Sequence, residues 1–479
     1  MDRDIPARPI ARRLVTLLAV ACATAVPTSW ADERVSLVVT NARVLTMDGA
    51  YRSFDGGTVV IDGRAIVAVG GPELADDYKA TEVIDAGGDI VMPGMINTHN
   101  HMSMVAFRGL GEYAVEDRLF EFFFPLEKAL LSRDLIRISA RQAAIELALA
   151  GVTTVTDMYY HEDEVARAVK QVGIRGVLGQ SVIGFPVVDA PEPYGGLDYA
   201  VDFLEAYADD ELITPALAPH APYTVSPDRL LETRALAEKH GAPVLMHMAE
   251  FHDEKAKIET RFPQMPDDRS IVEYLDGIGF LYPDLLAAHV IMVDESDMAI
   301  LKRRGVGVAH NPKANIKGLT GLSPAWDMMQ MGLDVGLGTD GPMSSNQLDI
   351  VTVMGYAARV ARVLHRDGTL FTPRELVAMA TIGGARALDM DDRIGSLEPG
   401  KLADLIIVDT DAAHMQPLHD PYAAVAFQAY PGDIHTTIVN GTVVARDGVV
   451  PAIDRAAHDK EWRGIVARVQ AFAEENLAR

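Results

Sequence analysis

The chain has 479 residues, of which 49% are hydrophobic and 23% are charged, a composition typical of a globular protein with one large domain and a smaller one. Its formal net charge of −25 argues against nucleic acid or anionic lipid as a partner. The single cysteine, Cys22, lies within the first 31 residues, so a chain that has lost them has no disulfide, thiolate metal ligand or cysteine nucleophile.

The first segment, residues 1–31, has the pattern of an export signal. Arg12 and Arg13 precede an apolar stretch, and the sequence SWA at 29–31 offers a small-residue cleavage site. The apolar stretch is too short for a membrane span. We therefore expect cleavage near Ala31 and a periplasmic or secreted protein. A twin-arginine signal and lipid attachment at Cys22 are the alternatives.

Both ends of the remaining chain have the pattern of short β-strands. Residues 33–92 alternate apolar and polar side chains between turn pairs such as DG and GG, which predicts a small antiparallel sheet. The same pattern returns in residues 393–455. We expect these two segments to form one composite β-sandwich domain, followed by a C-terminal helix over residues 456–479.

Residues 93–392 have a different pattern, in which short apolar runs alternate with amphipathic segments of helix length. Eight strand-like runs can be counted, beginning with IVMPGMINTHNH and continuing with VTTVTDM, RGVLGQSVI, LITPALAPHAPY, PVLMHMAE, LLAAHVI, GVGVAHNP and DVGLGTDG. Eight such alternations predict an α/β fold of the (β/α)8 TIM barrel type.

Polar residues stand at the ends of these runs, where a barrel has its active site. They are His99, His101, His220, His247, Glu250, His289, His310 and Asp340. His99 and His101 must share one face, because side chains alternate along a strand. A histidine pair alone is weak evidence, since most histidines are structural. Further ligand-type residues recur, however, at the ends of separate strands, and three imidazoles with one carboxylate suit one divalent metal, Zn²⁺ or Fe²⁺, with a position left for water.

Longer motifs surround these residues, among them PGMINTHNHMSMVAFRG, PHAPYTVSP, HMAE, AHNPKANIKG, GLGTDGPMSSNQLDI and GSLEPGKLADLIIVD. Through them the sequence resembles the amidohydrolase superfamily, and more closely the branch of methylthioadenosine/S-adenosylhomocysteine deaminases and chlorotriazine hydrolases. The resemblance covers nearly everything after residue 31 and implies a site for one metal. The ligands that it implies are His99, His101, His247 and Asp340.

The resemblance further implies a metal-dependent hydrolase that deaminates an amino-substituted heterocycle by metal-bound hydroxide. A divalent cation lowers the pKa of water towards neutrality, so that hydroxide is available for attack. Asp340 would take the proton of the water, and His289 would orient the hydroxide. Glu250 would transfer a proton to a ring nitrogen and then to the leaving ammonia.

The residues expected to bind substrate match the branch only in part. Glu127 in FPLEK and His220 in PHAPYT correspond to positions that hold the nucleoside in the deaminases. A tryptophan expected before Glu127 is missing, and two substrate-binding arginines are replaced by Gln180 and, approximately, Leu197. Together with export, these replacements favour an imported or environmental small molecule of the nucleoside, purine, pterin or triazine type.

Two other functions fit the same residues. A related amidohydrolase or chlorohydrolase would open a cyclic amide or displace chloride without releasing ammonia. A non-catalytic scaffold could keep the fold without chemistry, but it would have no need of four metal ligands and two proton-handling groups. The resemblance also implies a homo-oligomer, because many relatives form dimers or larger assemblies.

Overall fold

The computed structural model describes residues 33–112, 118–263 and 269–476. The predicted export signal with Cys22 and the last three residues of the predicted C-terminal helix lie outside these ranges. Within the ranges, every helix is either too short or too polar to cross a membrane.

The strands and helices alternate through the middle of the chain as the sequence pattern predicts. The strands are β1 Glu33–Leu45, β2 Ser53–Asp62, β3 Ala65–Gly70, β4 Tyr78–Asp85, β5 Ile90–Pro93, β6 Met95–Asn100, β7 Val152–Tyr159, β8 Arg175–Val182, β9 Ile213–Pro219, β10 Val244–Met248, β11 Leu285–His289, β12 Gly307–His310, β13 Val335–Leu337, β14 Leu405–Val408, β15 Ile434–Val439 and β16 Thr442–Arg446. The α-helices are α1 Phe124–Leu130, α2 Arg133–Leu149, α3 Glu162–Val172, α4 Gly196–Ala206, α5 Pro227–His240, α6 Glu254–Arg261, α7 Ile271–Ile278, α8 Glu295–Arg304, α9 Pro312–Gly318, α10 Ala325–Met331, α11 Pro342–Ser345, α12 Ile350–His365, α13 Pro373–Ala380, α14 Ile382–Ala387, α15 Pro421–Ala423 and α16 Arg455–Asn476. A π-helical turn, Arg118–Phe123, leads into α1.

Strands β6 to β13 form the barrel. Each strand pairs in parallel with the next, in chain order. The last strand meets the first where the backbone N–H groups of Thr339 and Asp340 donate to the carbonyl oxygen of His99, at 3.1 and 2.9 Å. Asn97 reinforces this seam, because its amide group donates to the Thr339 hydroxyl at 2.7 Å and accepts from the Thr339 N–H. The predicted TIM barrel is therefore confirmed, and its closure places Asp340 beside His99.

The interior of the barrel is filled with aliphatic side chains, which leaves room for chemistry only at its ends. Ile96, Met158, Val177, Leu245 and Leu286 belong to one buried cluster to which successive strands contribute. The strands are buried on both faces, which explains why the sequence shows continuous apolar runs in place of alternation.

The second sheet combines both ends of the described chain, as expected. Its strand order is β16-β15-β14-β5-β1-β2-β3, with β4 beside β1. The expectation of a purely antiparallel sheet is wrong, because β1 pairs in parallel with β4 and β5. A parallel pair needs a long return connection, which β2 and β3 supply here, and a period-2 pattern cannot distinguish the two directions. The C-terminal half joins where β14 pairs antiparallel with β5.

The sequence suggested that the apolar run IVMPGMINTHNH forms a single strand, but the structure divides it into two. Ile90–Pro93 belongs to the mixed sheet and Met95–Asn100 to the barrel, with Gly94 between them. A Cβ atom at Gly94 would lie 2.1 Å from the side chain of Thr153, so only glycine allows this close passage. The chain therefore passes at Gly94 directly from the mixed sheet into the barrel.

A buried ion pair also links the barrel to the mixed sheet. The guanidinium of Arg175 in β8 lies 3.1 Å from the carboxylate of Asp404, just before β14, and both side chains are almost fully buried. Arg175 also donates to the side chain of Asn440 at 2.5 Å. Because the counter-ion of each buried charge lies in the other domain, separating the two domains would leave both charges without their ion-pair partners.

Candidate metal centre and active site

Five side chains converge at the carboxyl-terminal rim of the barrel, and they come from the ends of four strands. They are His99 in β6, His101 directly after it, His247 in β10, His289 at the end of β11 and Asp340 after β13. All five are almost fully buried. The rim therefore gathers the polar groups that the sequence placed at strand ends.

The ligand-type atoms of these side chains lie close enough to share one cation. The Nε2 atoms of His101 and His247 are 3.2 Å apart, and Asp340 Oδ1 lies 3.2 Å from His101 Nε2 and 3.5 Å from His99 Nε2. Two overlapping groups have all their ligand-type atoms within 4.8 Å, one formed by His99, His101 and Asp340 and the other by His99, His247 and His289. Among the described residues, His99 Nε2 is buried without a hydrogen-bond partner. An orphaned imidazole nitrogen beside a carboxylate fits a site for a divalent metal.

Hydrogen bonds at the other ring nitrogens orient the imidazoles towards the centre. His101 Nδ1 donates to the carbonyl oxygen of Met158 at 2.7 Å, and His247 Nδ1 donates to the carbonyl oxygen of His220 at 2.9 Å. Since a carbonyl can only accept, each Nδ1 carries the proton, which leaves Nε2 of a neutral ring with a free lone pair. This tautomer is the one that a metal ligand requires. His289 Nδ1 is held similarly, 2.8 Å from Asn315 Oδ1.

The electrostatics of the cluster suit a cation as well. Burial lowers the pKa of His99 to about 4 and that of His247 well below its usual range. Burial acts in the same direction on His101, but the contact with Asp340 and the negative charges of Asp340 and Asp157 together outweigh it and raise the pKa of His101 to about 8. Burial alone would raise the pKa of Asp340, yet the neighbouring His101 and His99 hold it well below its usual range. An ionised carboxylate thus lies beside two imidazoles, those of His99 and His247, that resist protonation.

Glu250 lies beside this cluster. Its Oε2 atom is 3.8 Å from His289 Nε2, and burial raises the pKa of its carboxyl group. Its side chain is only 14% exposed, although the residues that follow it, FHDEK, are polar.

Sequence reasoning missed the residue that holds this loop, Glu254. Its buried carboxylate accepts hydrogen bonds from the backbone N–H groups of Ala249, Glu250 and Phe251, at 3.2, 2.7 and 3.4 Å. Ala249 has a φ of +52°, so the chain turns sharply immediately before Glu250. No periodic signal marks such a role, because it depends on a local turn.

Glu127 and His220 both line the cavity in front of the cluster, as their predicted role requires. Glu127 is only 4% exposed, and its carboxylate accepts hydrogen bonds from the hydroxyl groups of Tyr159 at 2.7 Å and Tyr160 at 3.2 Å. Burial raises the pKa of Glu127 to about 7. His220 contacts the Thr224 hydroxyl through Nδ1 at 3.0 Å, and burial lowers the pKa of His220 to about 3. The two tyrosines were not recognised from the sequence.

The cavity has a volume of about 530 Å³ and opens at the rim. Metal-cluster residues form its floor, while Met104, Phe124 and Tyr223 contribute apolar walls. Gln180 and Leu197, which replace the expected arginines, are buried elsewhere and do not line it. His310 is buried too, and it does not line the cavity.

The barrel, its buried cluster of histidines and aspartate, and the ligand-sized cavity above this cluster are together typical of the class of metal-dependent hydrolases. Residues 90–444 match the model of the amidohydrolase family, and the chain belongs to this family. The resemblance inferred from the motifs is thereby confirmed. The chain is a hydrolase of carbon–nitrogen bonds other than peptide bonds.

Individual relatives agree with this assignment. A 5-methylthioadenosine/S-adenosylhomocysteine deaminase from Syntrophobacter fumaroxidans is 38% identical over 418 residues, which are 87% of this chain and 94% of that protein. The structure of an adenosine deaminase from Xanthomonas campestris with bound zinc has a TM-score of 0.86 at 29% identity, covering 92% of this chain and 100% of the other. Atrazine chlorohydrolase from Arthrobacter aurescens, also complexed with zinc, has a TM-score of 0.82 at 22% identity, covers 90% of this chain and 100% of its own, and shares the fold.

Proposed function

We propose that this protein hydrolytically deaminates an amino-substituted heterocycle, with adenosine-type nucleosides as the first class to test and purines, pterins and triazines next. The observation that supports this function best is the convergence of the His and Asp cluster with Glu250 at the floor of one cavity. The relatives named as deaminases support the same reaction.

We assign the metal to His99, His101, His247 and Asp340, with Zn²⁺ the preferred ion and Fe²⁺ the alternative. Three imidazoles and one carboxylate form a donor set that both ions accept. His289 lies within the second ligand group, and we place it towards the attacking water. When bound, a divalent cation supplies Lewis acidity that makes a water molecule reactive at neutral pH.

The protein side chains can then divide the proton transfers between them. The carboxylate of Asp340 takes a proton from the attacking water, and His289 orients that water. The 3.8 Å between His289 Nε2 and Glu250 Oε2 exceeds a hydrogen bond, so the two groups are not bonded to each other and one reacting atom beside them can contact both. Because burial raises its pKa, Glu250 can donate a proton to a ring nitrogen.

The overall reaction balances with water as its only co-substrate. The water oxygen forms a bond to the ring carbon that bears the amino group, while Asp340 takes one water proton and Glu250 protonates the ring nitrogen. The ionised Glu250 then takes the proton of the new C–OH group and delivers it to the amino group, so that the carbon–nitrogen bond breaks and ammonia leaves. The proton on Asp340 returns through solvent and restores the acid form of Glu250. Glu127 and His220 lie on the cavity wall, and we assign them to the polar groups of the substrate outside the reacting ring.

We also infer that the protein works after export, in the periplasm or outside the cell. This proposal depends on the pattern of residues 1–31 alone. Sequencing of the N-terminus from a cell fraction would test it, because a mature chain that begins near Asp32 supports cleavage, whereas an intact Met1 contradicts it. Size-exclusion chromatography of the same sample would test the homo-oligomer.

The function itself is tested by metal analysis of the purified protein and by ammonia release from a panel of adenosine derivatives, purines, pterins and triazines. We expect about one Zn or Fe per chain and ammonia from one of these classes. Asp340→Asn serves as the inactive control. Metal without ammonia would favour the related amidohydrolase or chlorohydrolase, and a chain that binds no metal after reconstitution would be a scaffold.

A further inference from the structure

A second cavity of about 900 Å³ lies against the first. Phe124, Glu127 and Tyr160 line both cavities, so the two spaces are adjacent across these side chains. We call the second cavity the aromatic chamber and define it by Phe120, Phe124, Tyr160, Phe185, Tyr194 and Phe262. The proposed reaction has no use for this space.

The aromatic rings of the chamber surround the space and do not fill it. Phe124 lies at the centre of the wall, with ring centroids 5.3 Å from Phe120, 5.2 Å from Phe185 and 5.8 Å from His220 in the first cavity. Phe120, Phe124 and Phe185 are only partly buried, since one side of each ring faces the void. Edge-to-face aromatic walls of this kind favour flat or branched apolar groups.

The charges near the chamber disfavour a cationic occupant. Arg261 has its guanidinium carbon 5.0 Å from the ring centre of Phe120 and 5.5 Å from that of Phe185, while Lys257 Nζ lies 5.9 Å from Phe120. The carboxylate at the junction, Glu127, already accepts two tyrosine hydroxyl groups. An uncharged group therefore fits the interior better than an ammonium group.

We propose that the aromatic chamber holds an uncharged apolar substituent of the substrate, an aryl or branched alkyl group, while the amino-bearing ring lies at the metal cluster. This inference rests on the proposed function and makes it more specific. The ring would lie over the floor of the first cavity, the polar part of the substrate would pass Glu127, and the substituent would pass Phe124 into the chamber.

The test compares pairs of compounds on the holoenzyme. Adenosine is compared with 5′-deoxy-5′-(phenylthio)adenosine; if another parent ring releases ammonia in the screen, the pair is that ring with and without a phenyl substituent. Turnover of the parent tests the proposed function alone, so the ratio of the two kcat/KM values tests the chamber separately. Burial of a phenyl group predicts a kcat/KM roughly 10- to 100-fold higher for the substituted compound. A ratio near one would overturn the inference.

Variants of the chamber wall test whether the higher kcat/KM of the substituted compound arises in the aromatic chamber. Val188 lines only the second cavity, so Val188→Trp should reduce the ratio at least tenfold and leave the parent within about twofold. Val363→Trp is the matched control, because Val363 lies 73% exposed on α12 away from both cavities, and its ratio should not change. Equal losses for both compounds in Val188→Trp would contradict the proposal. If Val188→Trp fails to fold, Phe185→Leu is the deciding variant, because it removes a ring from the chamber wall. It should lower the ratio of the two kcat/KM values without changing the kcat/KM of the parent compound.

Discussion

Removal of the Glu254 carboxylate should lower activity although this side chain does not line the cavity. In Glu254→Ala, the N–H groups of Ala249 and Glu250 lose acceptors at 3.2 and 2.7 Å, and that of Phe251 loses a weaker one at 3.4 Å. A buried donor left unpaired costs about 1–3 kcal/mol, so the two shorter bonds together predict a loss of about 2–6 kcal/mol.

The same change should act on the rate, because the loop that Glu254 holds carries Glu250. A displacement of a catalytic group by about 1 Å costs on the order of 100-fold in rate. We therefore expect kcat of Glu254→Ala to fall roughly 10- to 100-fold with metal content unchanged, since the ligand His247 is held by strand β10. Glu254→Gln keeps one acceptor oxygen and should be intermediate.

The assay combines urea unfolding, metal analysis and the rate of ammonia release at a temperature at which all variants are folded. Glu259→Ala in the same helix, α6, is the control for removing a glutamate. If Glu254→Ala had the stability and kcat of the parent protein, the reasoning from these hydrogen bonds would be refuted. A loss of metal would show that Glu254 acts on the ligands and not on Glu250.

Three further predictions follow from other contacts. Asp340→Asn should lower kcat at least about 1,000-fold while circular dichroism stays unchanged, because it removes both a ligand and the proton acceptor; measurable wild-type turnover would contradict this role. Glu250→Gln should lower kcat roughly 100- to 10,000-fold with metal retained. Because burial raises the pKa of Glu250, its acid form is lost as pH rises, so the fall of kcat at high pH should be present in the parent enzyme and absent from this variant. Asp404→Ala leaves the buried Arg175 without its counter-ion and should cost about 3–5 kcal/mol in urea unfolding; a loss below 1 kcal/mol would show that the oxygens of Asn440 and Glu211 satisfy the arginine.

The barrel could be predicted because its determinants are local and repeated. Each strand is a short apolar run, each helix has its own amphipathic pattern, and the polar residue at each strand end is set by the geometry of a parallel barrel. His99 and His101 could be paired from one stretch of sequence, because alternation along a strand fixes their common face.

The remaining features depend on contacts between distant segments. The parallel pairing of β1 with β4 and β5 has the same alternating pattern as an antiparallel pair. The division of the first apolar run at Gly94 depends on Thr153 in the next strand. The bonds from Tyr159 and Tyr160 to Glu127 join a barrel strand to a helix that precedes it, and no period in the sequence records such a pair.

The hydrogen bonds that close the barrel also determine when the site is assembled during folding. Asn97 and Thr339 are 242 residues apart, and next to them His99 and Asp340 are joined by the backbone bond that closes the barrel. A nascent or partly refolded chain therefore lacks the proposed carboxylate ligand, Asp340, until its eighth barrel strand has docked. Metal capture should consequently be a late event in folding, and tight metal uptake during refolding would report that the ring of strands is complete.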